Sequence, residues 1–251
     1  MHEELRDKTA LITGASIGIG AAAAVALARL GVNILIHYNS HLSDAEAVLR
    51  EVEGAGVRGQ LFQADLGTRD GVHHLTGAIR DLRIDILINN AGSLVERRPN
   101  LEMTEDLWDR VLMLNLTSAY FVTQAVLPQM IERKSGVVVN VSSVAARHGG
   151  GKGATAYSTA KGGLSVMTKG LAKEFAAHGI RINAVSPGTI DTNFHRTFSN
   201  EQMLDGVRAA TPMGRLGTSE ETADVIVFLC TDQARFIQGQ VIEVNGGFLM
   251  V

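Results

Sequence analysis

The sequence has one cysteine, four prolines and only 5% aromatic residues among its 251 positions. A lone Cys230 excludes an internal disulfide. It lies in the apolar run 225–230, so it reads as a small buried hydrophobe, which fits a reducing compartment. The scarcity of proline excludes a Pro/Gly-rich disordered chain. An excess of positive charge is also missing. Lys and Arg number 23 against 26 Asp and Glu, for a net charge of -3. That balance argues against nucleic acid or an anionic membrane as the main partner. No apolar run nears the ~20 residues that span a bilayer; the longest is 21–28. Residues 1–8 are charged and lack the apolar core of a secretory signal. A cytoplasmic location is expected.

Glycine, by contrast, is abundant, with 27 residues, where roughly seven per hundred is average. There is no strict glycine period, which excludes collagen. The surplus calls for tight turns and close backbone approaches. Hydrophobic residues at 45% and charged residues at 20% suit a packed globule.

Apolar runs of strand length alternate with helical patterns along the chain. Strands are predicted at 9–13, 33–38, 59–64, 85–89, 136–141, 181–185 and 241–244. Helices are predicted at 19–30, 43–55, 71–82, 104–133, 155–178 and 219–230. Near-continuous apolar strands alternating with helices predict an α/β fold. It is a parallel seven-stranded sheet, doubly wound in the Rossmann manner, with helices on both faces. Ligands of such sheets sit at the carboxyl ends of the strands. No linker or repeat divides the chain, so 1–251 is expected to form a single domain. Residues 188–217 break the alternation and read as a flap, with Phe194, Phe198, Met203 and Met213 as apolar residues for a pocket or an anchor.

Three stretches carry chemistry. Thr13-Gly14-Ala15-Ser16-Ile17-Gly18-Ile19-Gly20 joins the first strand to the first helix. Glycine there lets the backbone approach a pyrophosphate, and the helix N-terminus offers free N–H groups. The second strand ends in Ile36-His37-Tyr38-Asn39-Ser40 without the carboxylate that holds a ribose 2′-hydroxyl in the common NAD fingerprint. The stretch therefore leans to NADP over NAD, although only Asn39, Ser40 and His41 are there to hydrogen-bond a 2′-phosphate. Tyr157 and Lys161 stand at i and i+4, on one helix face. An ammonium near a phenol favours the phenolate and brings its pKa toward a useful range. On spacing alone, a surface Tyr–Lys pair is the commoner meaning. Ser142-Ser143 and Asn89-Asn90-Ala91-Gly92 each end a strand at the expected ligand side, where they also suit caps and turns.

Taken together, these stretches strongly resemble the short-chain dehydrogenase/reductase family over essentially the whole chain. Residues 13–20 resemble its T-G-x-x-x-G-x-G cofactor turn, and Asp65-Leu66 the acidic residue beside the adenine ring. Asn89, Asn90, Ala91 and Gly92 match its N-N-A-G motif. Asn115, Ser143, Tyr157 and Lys161 fall in order on its catalytic tetrad. Pro187, Gly188, Ile190 and Thr192 resemble the segment at the nicotinamide carboxamide. The resemblance implies an NAD(P)-dependent oxidoreductase that interconverts a carbonyl and a secondary alcohol without a metal. Gly14, Ser16, Ile17, Gly18, Ile19, Gly20, Tyr38, Asn39, Ser40, Asp65 and Leu66 would join the motifs above in holding the cofactor. Tyr157 would be the acid/base, Lys161 its tuner and ribose ligand, and Ser143 the group that orients the substrate oxygen. Asn115 would interrupt its helix and hold a relay water. Ile17 stands where NADP-preferring relatives commonly carry Arg.

The 3-oxoacyl-[acyl-carrier-protein] reductase-like set is the nearest subgroup in appearance, which makes an acyl thioester a candidate among small-molecule carbonyl or alcohol substrates. Sugar and polyol dehydrogenases share the pattern. Arg133, Lys134 and His178 could meet an acidic carrier or form a solvated helix edge. The different-class alternative is a non-enzymatic dinucleotide-binding sensor or scaffold. The two long helices are apolar on more than one side, as in relatives that form homotetramers. The Gly-rich loop 149–153 lacks the G-K-[ST] ending of a P-loop and is expected to pass close to the substrate.

Overall fold

The computed structural model describes residues 2–192, 198 and 200–251. Seven strands form one parallel sheet in the order β3-β2-β1-β4-β5-β6-β7. They are β1 Thr9–Ile12, β2 Asn33–Tyr38, β3 Gly59–Gln63, β4 Ile86–Asn89, β5 Gly136–Val141, β6 Ile180–Pro187 and β7 Val241–Val244. The order reverses between β1 and β4, which opens a crevice at their carboxyl ends.

Helices cover both faces. On one lie α1 (Gly18–Ala28), α2 (Leu42–Gly54) and α9 (Ser219–Cys230). Ala23, Ala24 and Leu27 of α1 and Ile226 and Leu229 of α9 pack there over Ala10, Ile12, Ile34 and Ile36. The alanines of α1 keep that helix close to its neighbours. On the other face lie α3 (Arg69–Ala78), α5 (Ser118–Arg133) and α7 (Thr155–Phe175). Val122, Val126 and Met130 of α5 pack there with Leu11, Leu87 and Val138. Ala10 and Ile12 face one way and Leu11 the other, as the twofold period of a strand requires. Both core layers are apolar, so the strand sequences read as continuous runs.

The pattern 104–133 folds as α4 (Glu105–Leu112), a π-helical turn (Met113–Thr117) and α5. Thr104 caps its start by accepting from the Leu107 N–H. By length and composition this helix could cross a membrane, but 44% of its most apolar window is buried within the molecule. Its apolar side belongs to the core. Two further short helices are α6 (Ala145–His148), which ends at the start of the Gly-rich loop, and α8 (Glu201–Ala210) in the flap. The base of the flap is closed by a parallel bridge between Ile190 and Gly217.

Candidate active site

The glycine turn is held from three sides. Gly14 and Gly18 have φ of 64° and 61°, where a side chain is strained. Asn90 Nδ2 donates to the Thr13 and Gly14 carbonyls at 3.0 and 2.8 Å. Thr13 Oγ1 accepts from the Asn90 and Ala91 N–H groups at 3.0 Å each. The third support, His37, is one the sequence reading passed over. Gly14 N–H donates to His37 Nδ1 at 3.0 Å. Nδ1 is therefore unprotonated, and Nε2–H donates to the Ala64 carbonyl at 3.0 Å. Burial drives the His37 pKa down to about 4, against weaker upward pulls from the Ala64 bond and Asp65. A histidine that follows the apolar run Ile34-Leu35-Ile36 near the end of β2 was the available signal.

The tetrad candidates gather at the ends of β4 and β5. Asn115 sits in the π turn, 1% exposed. Its Nδ2 donates to the Ser93 and Val111 carbonyls at 2.8 and 2.9 Å, and its Oδ1 accepts from the Ser93 N–H at 3.1 Å. Both amide hydrogens are thus used, and one lone pair of Oδ1 remains. A Cβ on Gly92 would lie 2.8 Å from Asn115 Oδ1 and 3.0 Å from Lys161 Nζ. Only glycine there lets these two groups converge.

Lys161 is buried, and its Nζ donates to the Val141 carbonyl at 2.7 Å. Burial lowers its pKa to about 8. Nζ lies 5.7 Å from the centre of the Tyr157 ring. Burial pushes the Tyr157 phenol up to about 12, and a hydrogen bond with Ser143 pulls it partly back. The downward push expected of the ammonium is not among the causes. Among the described residues, Ser143 favours the phenolate. Ser143 Oγ also accepts from the Ala145 N–H at 3.1 Å. Its neighbour Ser142 bonds the Lys161 carbonyl and Ser165 instead, and so pins α7 to β5.

One cavity of about 1020 Å³ joins these groups. Its wall includes Gly14, Ser16, Ile17, Gly18 and Ile19 of the turn. Asn39, Ser40, His41, Asp65 and Leu66 line it near the ends of β2 and β3. Asn90, Ala91, Gly92, Ser143, Tyr157 and Lys161 follow at the centre, and Pro187, Gly188, Ile190 and Thr192 at the flap base. Gly20, Tyr38, Asn89 and Asn115 stand off the wall. A Cβ at Gly20 would press on the Gly14 carbonyl and lie 2.5 Å from Asn90 Nδ2. Tyr38 packs on the core. Asn89 is buried in a polar chain across the sheet. It donates to Thr123 and Asn140 at 2.9 Å, and Asn140 donates to Thr168 at 2.9 Å.

Sequence reasoning missed several residues of the wall. Arg110 pairs with Asp65 at 3.0 Å. His148 packs edge-on to Phe248, and both border the cavity with Arg97. Phe198 and Met203 of the flap line it as expected, while Met213 is exposed and Phe194 lies outside the described residues. Gly150 and Gly151 border the cavity, whereas the Gly149 position has nothing around it. Arg133, read as a candidate for an acidic partner, is instead tied inward. It donates to the Ile84 carbonyl at 2.7 Å and to Gln129 at 3.0 Å, and lies 3.8 Å from buried Asp85. Among the described residues no cluster of three or more His, Cys, Asp or Glu is arranged to hold a metal.

A parallel sheet with a glycine-lined crevice, and a Ser–Tyr–Lys group on its wall, define a dinucleotide-type α/β enzyme. The comparisons with known proteins agree. A family model described as Enoyl-(Acyl carrier protein) reductase matches residues 14–249. The chain is 40% identical to the uncharacterized oxidoreductase YmfI of Bacillus subtilis, covering 96% of this chain and 99% of that one. It is 39% identical to a 3-oxoacyl-[acyl-carrier-protein] reductase of Synechocystis sp., covering 98% of each. A solved structure assigned as an NAD(P)-dependent gluconate 5-dehydrogenase of Beutenbergia cavernae, holding NADP at low occupancy, superposes with a TM-score of 0.91. It is 31% identical and 97% of each chain is covered. The chain belongs to the short-chain dehydrogenase/reductase family and is an oxidoreductase acting on carbonyl or alcohol groups.

Proposed function

We propose that residues 1–251 work as one domain that reduces a small-molecule carbonyl to a secondary alcohol, or runs the reverse reaction, with NADP favoured over NAD. The observation that carries this reading is the convergence of Ser143, Tyr157 and Lys161, with Lys161 Nζ 5.7 Å from the Tyr157 ring centre, on the cavity that the glycine turn also lines. The glycine cradle fits a pyrophosphate, because Gly14 and Gly18 line the cavity at left-handed φ, at the N-terminus of α1. The N–H groups at the start of α1 and the residues of the wall from Ser16 to Thr192 would hold the cofactor. Asn90 and His37 would brace the cradle through their bonds to Gly14, and Gly20 would shape it from behind. When bound, the nicotinamide supplies or accepts the hydride.

Tyr157 gives its phenolic proton to the carbonyl oxygen during reduction and takes it back during oxidation. Its raised pKa keeps that proton in place at neutral pH. Ser143 orients the same oxygen. Lys161 is mostly protonated below about pH 8 and holds positive charge beside the ring. Asn115 fixes the Ser93 backbone, and its remaining Oδ1 lone pair, close to Lys161 across Gly92, suits a relay water.

NADP is supported by the absence of a carboxylate among residues 36–40, by Ser16, Asn39, Ser40 and His41 on the wall, and by the NADP of the solved relative. A 3-oxoacyl thioester is the first substrate class, on the likeness to the Synechocystis reductase. A sugar or polyol is the second, on the likeness to the gluconate dehydrogenase. The inward commitment of Arg133 leaves Lys134 and His178 for any acidic carrier. Exposed Tyr120 and Phe121 on α5 and Val166 on α7 support a homotetramer joined through these helices, in the cytoplasm. Initial rates with NADPH and NADH against 3-oxoacyl thioesters, ketones, sugars and polyols test the reading. Cofactor binding without turnover of any member would favour a sensor or scaffold instead.

A further inference from the structure

Two adjacent arginines follow β4, and they have different fates. Arg98 pairs with Glu96. Arg97 is half-buried on the cavity wall and has no ion pair among the described residues. Its Nε donates to the Phe198 carbonyl at 2.8 Å and its Nη1 to the Lys152 carbonyl at 3.0 Å. Those two bonds fix the plane of the guanidinium and use two of its five N–H donors. Gly151 leaves room beside it, since a Cβ there would lie 3.6 Å from Nη1.

The backbone that carries Arg97 is strained in a way that fixes its direction. Val95 has φ of 61°, which a β-branched residue rarely adopts. The Glu96 N–H reaches back to the Leu94 carbonyl at 2.7 Å and closes a γ-turn around it. Ser93 Oγ accepts from the Val95 N–H at 2.9 Å, and Asn115 clamps Ser93 from both sides. Such strain persists where the surroundings over-determine it. The cavity wall also carries Leu94, Val95, Phe198 and Met203, with His148. Among the described residues, the one carboxylate on the wall is Asp65, already paired with Arg110.

We propose that Arg97 is a specificity-determining residue, and that the substrate carries an anionic group, a carboxylate or a phosphate monoester, which the free edge of its guanidinium binds. A planar fork held by carbonyls, without a counter-charge, is the arrangement that selects such anions. This inference rests on the carbonyl–alcohol reading above and narrows it toward acidic substrates rather than neutral acyl thioesters.

The test compares 3-oxobutanoate, 4-oxopentanoate and 5-oxohexanoate with their methyl esters, and dihydroxyacetone phosphate with dihydroxyacetone, under NADPH. In the wild type at least one anion should exceed its neutral partner in kcat/KM by about 10- to 100-fold. The carboxylate and phosphate arms separate the two sources. Arg97→Gln should bring that ratio near one, and Arg97→Lys should keep part of it. A wild-type ratio near one, a ratio unchanged in Arg97→Gln, or equal losses for acid and ester would overturn the proposal. So would a neutral 3-oxobutanoyl thioester preferred over every anion. Turnover without anion preference sinks this inference alone, whereas absence of any turnover sinks the carbonyl–alcohol reading. Calorimetry of 4-oxopentanoate and dihydroxyacetone phosphate on the NADPH-loaded protein gives a readout free of turnover. Binding of at least one should be detectable, weaken with salt and vanish in Arg97→Gln. Binding of neither, or salt-independent binding that survives the substitution, would overturn the assignment.

Discussion

At one end of the cavity, the turn around Gly14 is held by His37 from β2, by Asn90 from the end of β4 and by Thr13 from its own strand. At the other end, the Ser93–Arg98 loop, the 149–153 loop and the flap meet through Arg97 and through a longer bond from the Arg98 N–H to the Gly153 carbonyl. The first end hangs from β1, β2 and β4, inner strands whose residues are mostly buried. The second is built from connections that lie beyond the strands and answer to each other. The difference teaches where the chemistry is fixed and where it is free. A pyrophosphate cradle and a proton-transfer pair tolerate little displacement, whereas a substrate pocket made of loops can change its ligand without touching the sheet.

The largest effect is expected from the group at the junction of the two ends. Tyr157→Phe removes the proton but keeps the ring against Lys161. Its kcat should fall about 10²- to 10⁴-fold, with NADPH affinity unchanged by fluorescence titration. Survival of most of the rate would mean that the proton comes from elsewhere. The wild-type reductase rate should also decline as pH rises through about 8, where Lys161 loses its charge. A rate profile flat from pH 7 to 9.5 would remove Lys161 from that role.

A second effect tests how firmly the glycine-turn end is built. The His37 pKa is about 4 in the folded chain, against ~6.5 when unfolded. The unfolded state therefore binds more protons between these values, so stability is full above about pH 6.5 and is lost as pH falls toward 4. The loss amounts to roughly 3 kcal/mol at most. In the folded chain protonation would place a hydrogen on Nδ1 against the Gly14 N–H, so NADPH affinity should hold down to about pH 5 and weaken only as pH falls through about 4. Urea unfolding at stepped pH checks the first, and His37→Gln should flatten the slope. An unchanged slope would assign the acid sensitivity to carboxylates.

Gly20→Ala comes next. Its added Cβ would meet the Gly14 carbonyl and Asn90 Nδ2 in a helix that has little room to move. Overpacking of this kind costs about 1–3 kcal/mol. A loss of thermal stability together with weakened NADPH binding is expected. Stability unchanged by calorimetry would show that the turn is looser than its hydrogen bonds imply.

Much of this division was legible in the sequence. The seven strands and the sheet class followed from apolar runs, because a strand covered on both faces has no polar side to hide its pattern. Gly14, Asn90, Ser143, Tyr157 and Lys161 were legible because each belongs to a short local motif. The residues that were not legible act across long separations. Arg97 reaches Phe198 and Lys152, Arg110 reaches Asp65, and Arg133 reaches Ile84. Nothing in the local sequence of an arginine states which carbonyl it will find. The π turn at Met113–Thr117 was hidden for another reason. Its apolar spacing still reads as one continuous helix, and only the family resemblance flagged Asn115 as an interruption.

The smallest effect closes the comparison. Gly149 has φ of 85°, yet a Cβ there would meet nothing within 4 Å. Gly149→Ala therefore carries only the cost of a left-handed backbone, about 1 kcal/mol, without the clash that burdens Gly20→Ala. Relief of unfolded-chain entropy offsets part of it. The melting temperature should drop slightly and NADPH affinity should stay as it was. Any change in kcat/KM should be confined to the substrate side, because Gly150 and Gly151 line the cavity while Gly149 stands outside it. If Gly149→Ala destabilises as much as Gly20→Ala, the two ends are equally constrained. The loop would then be part of the frame rather than a replaceable wall.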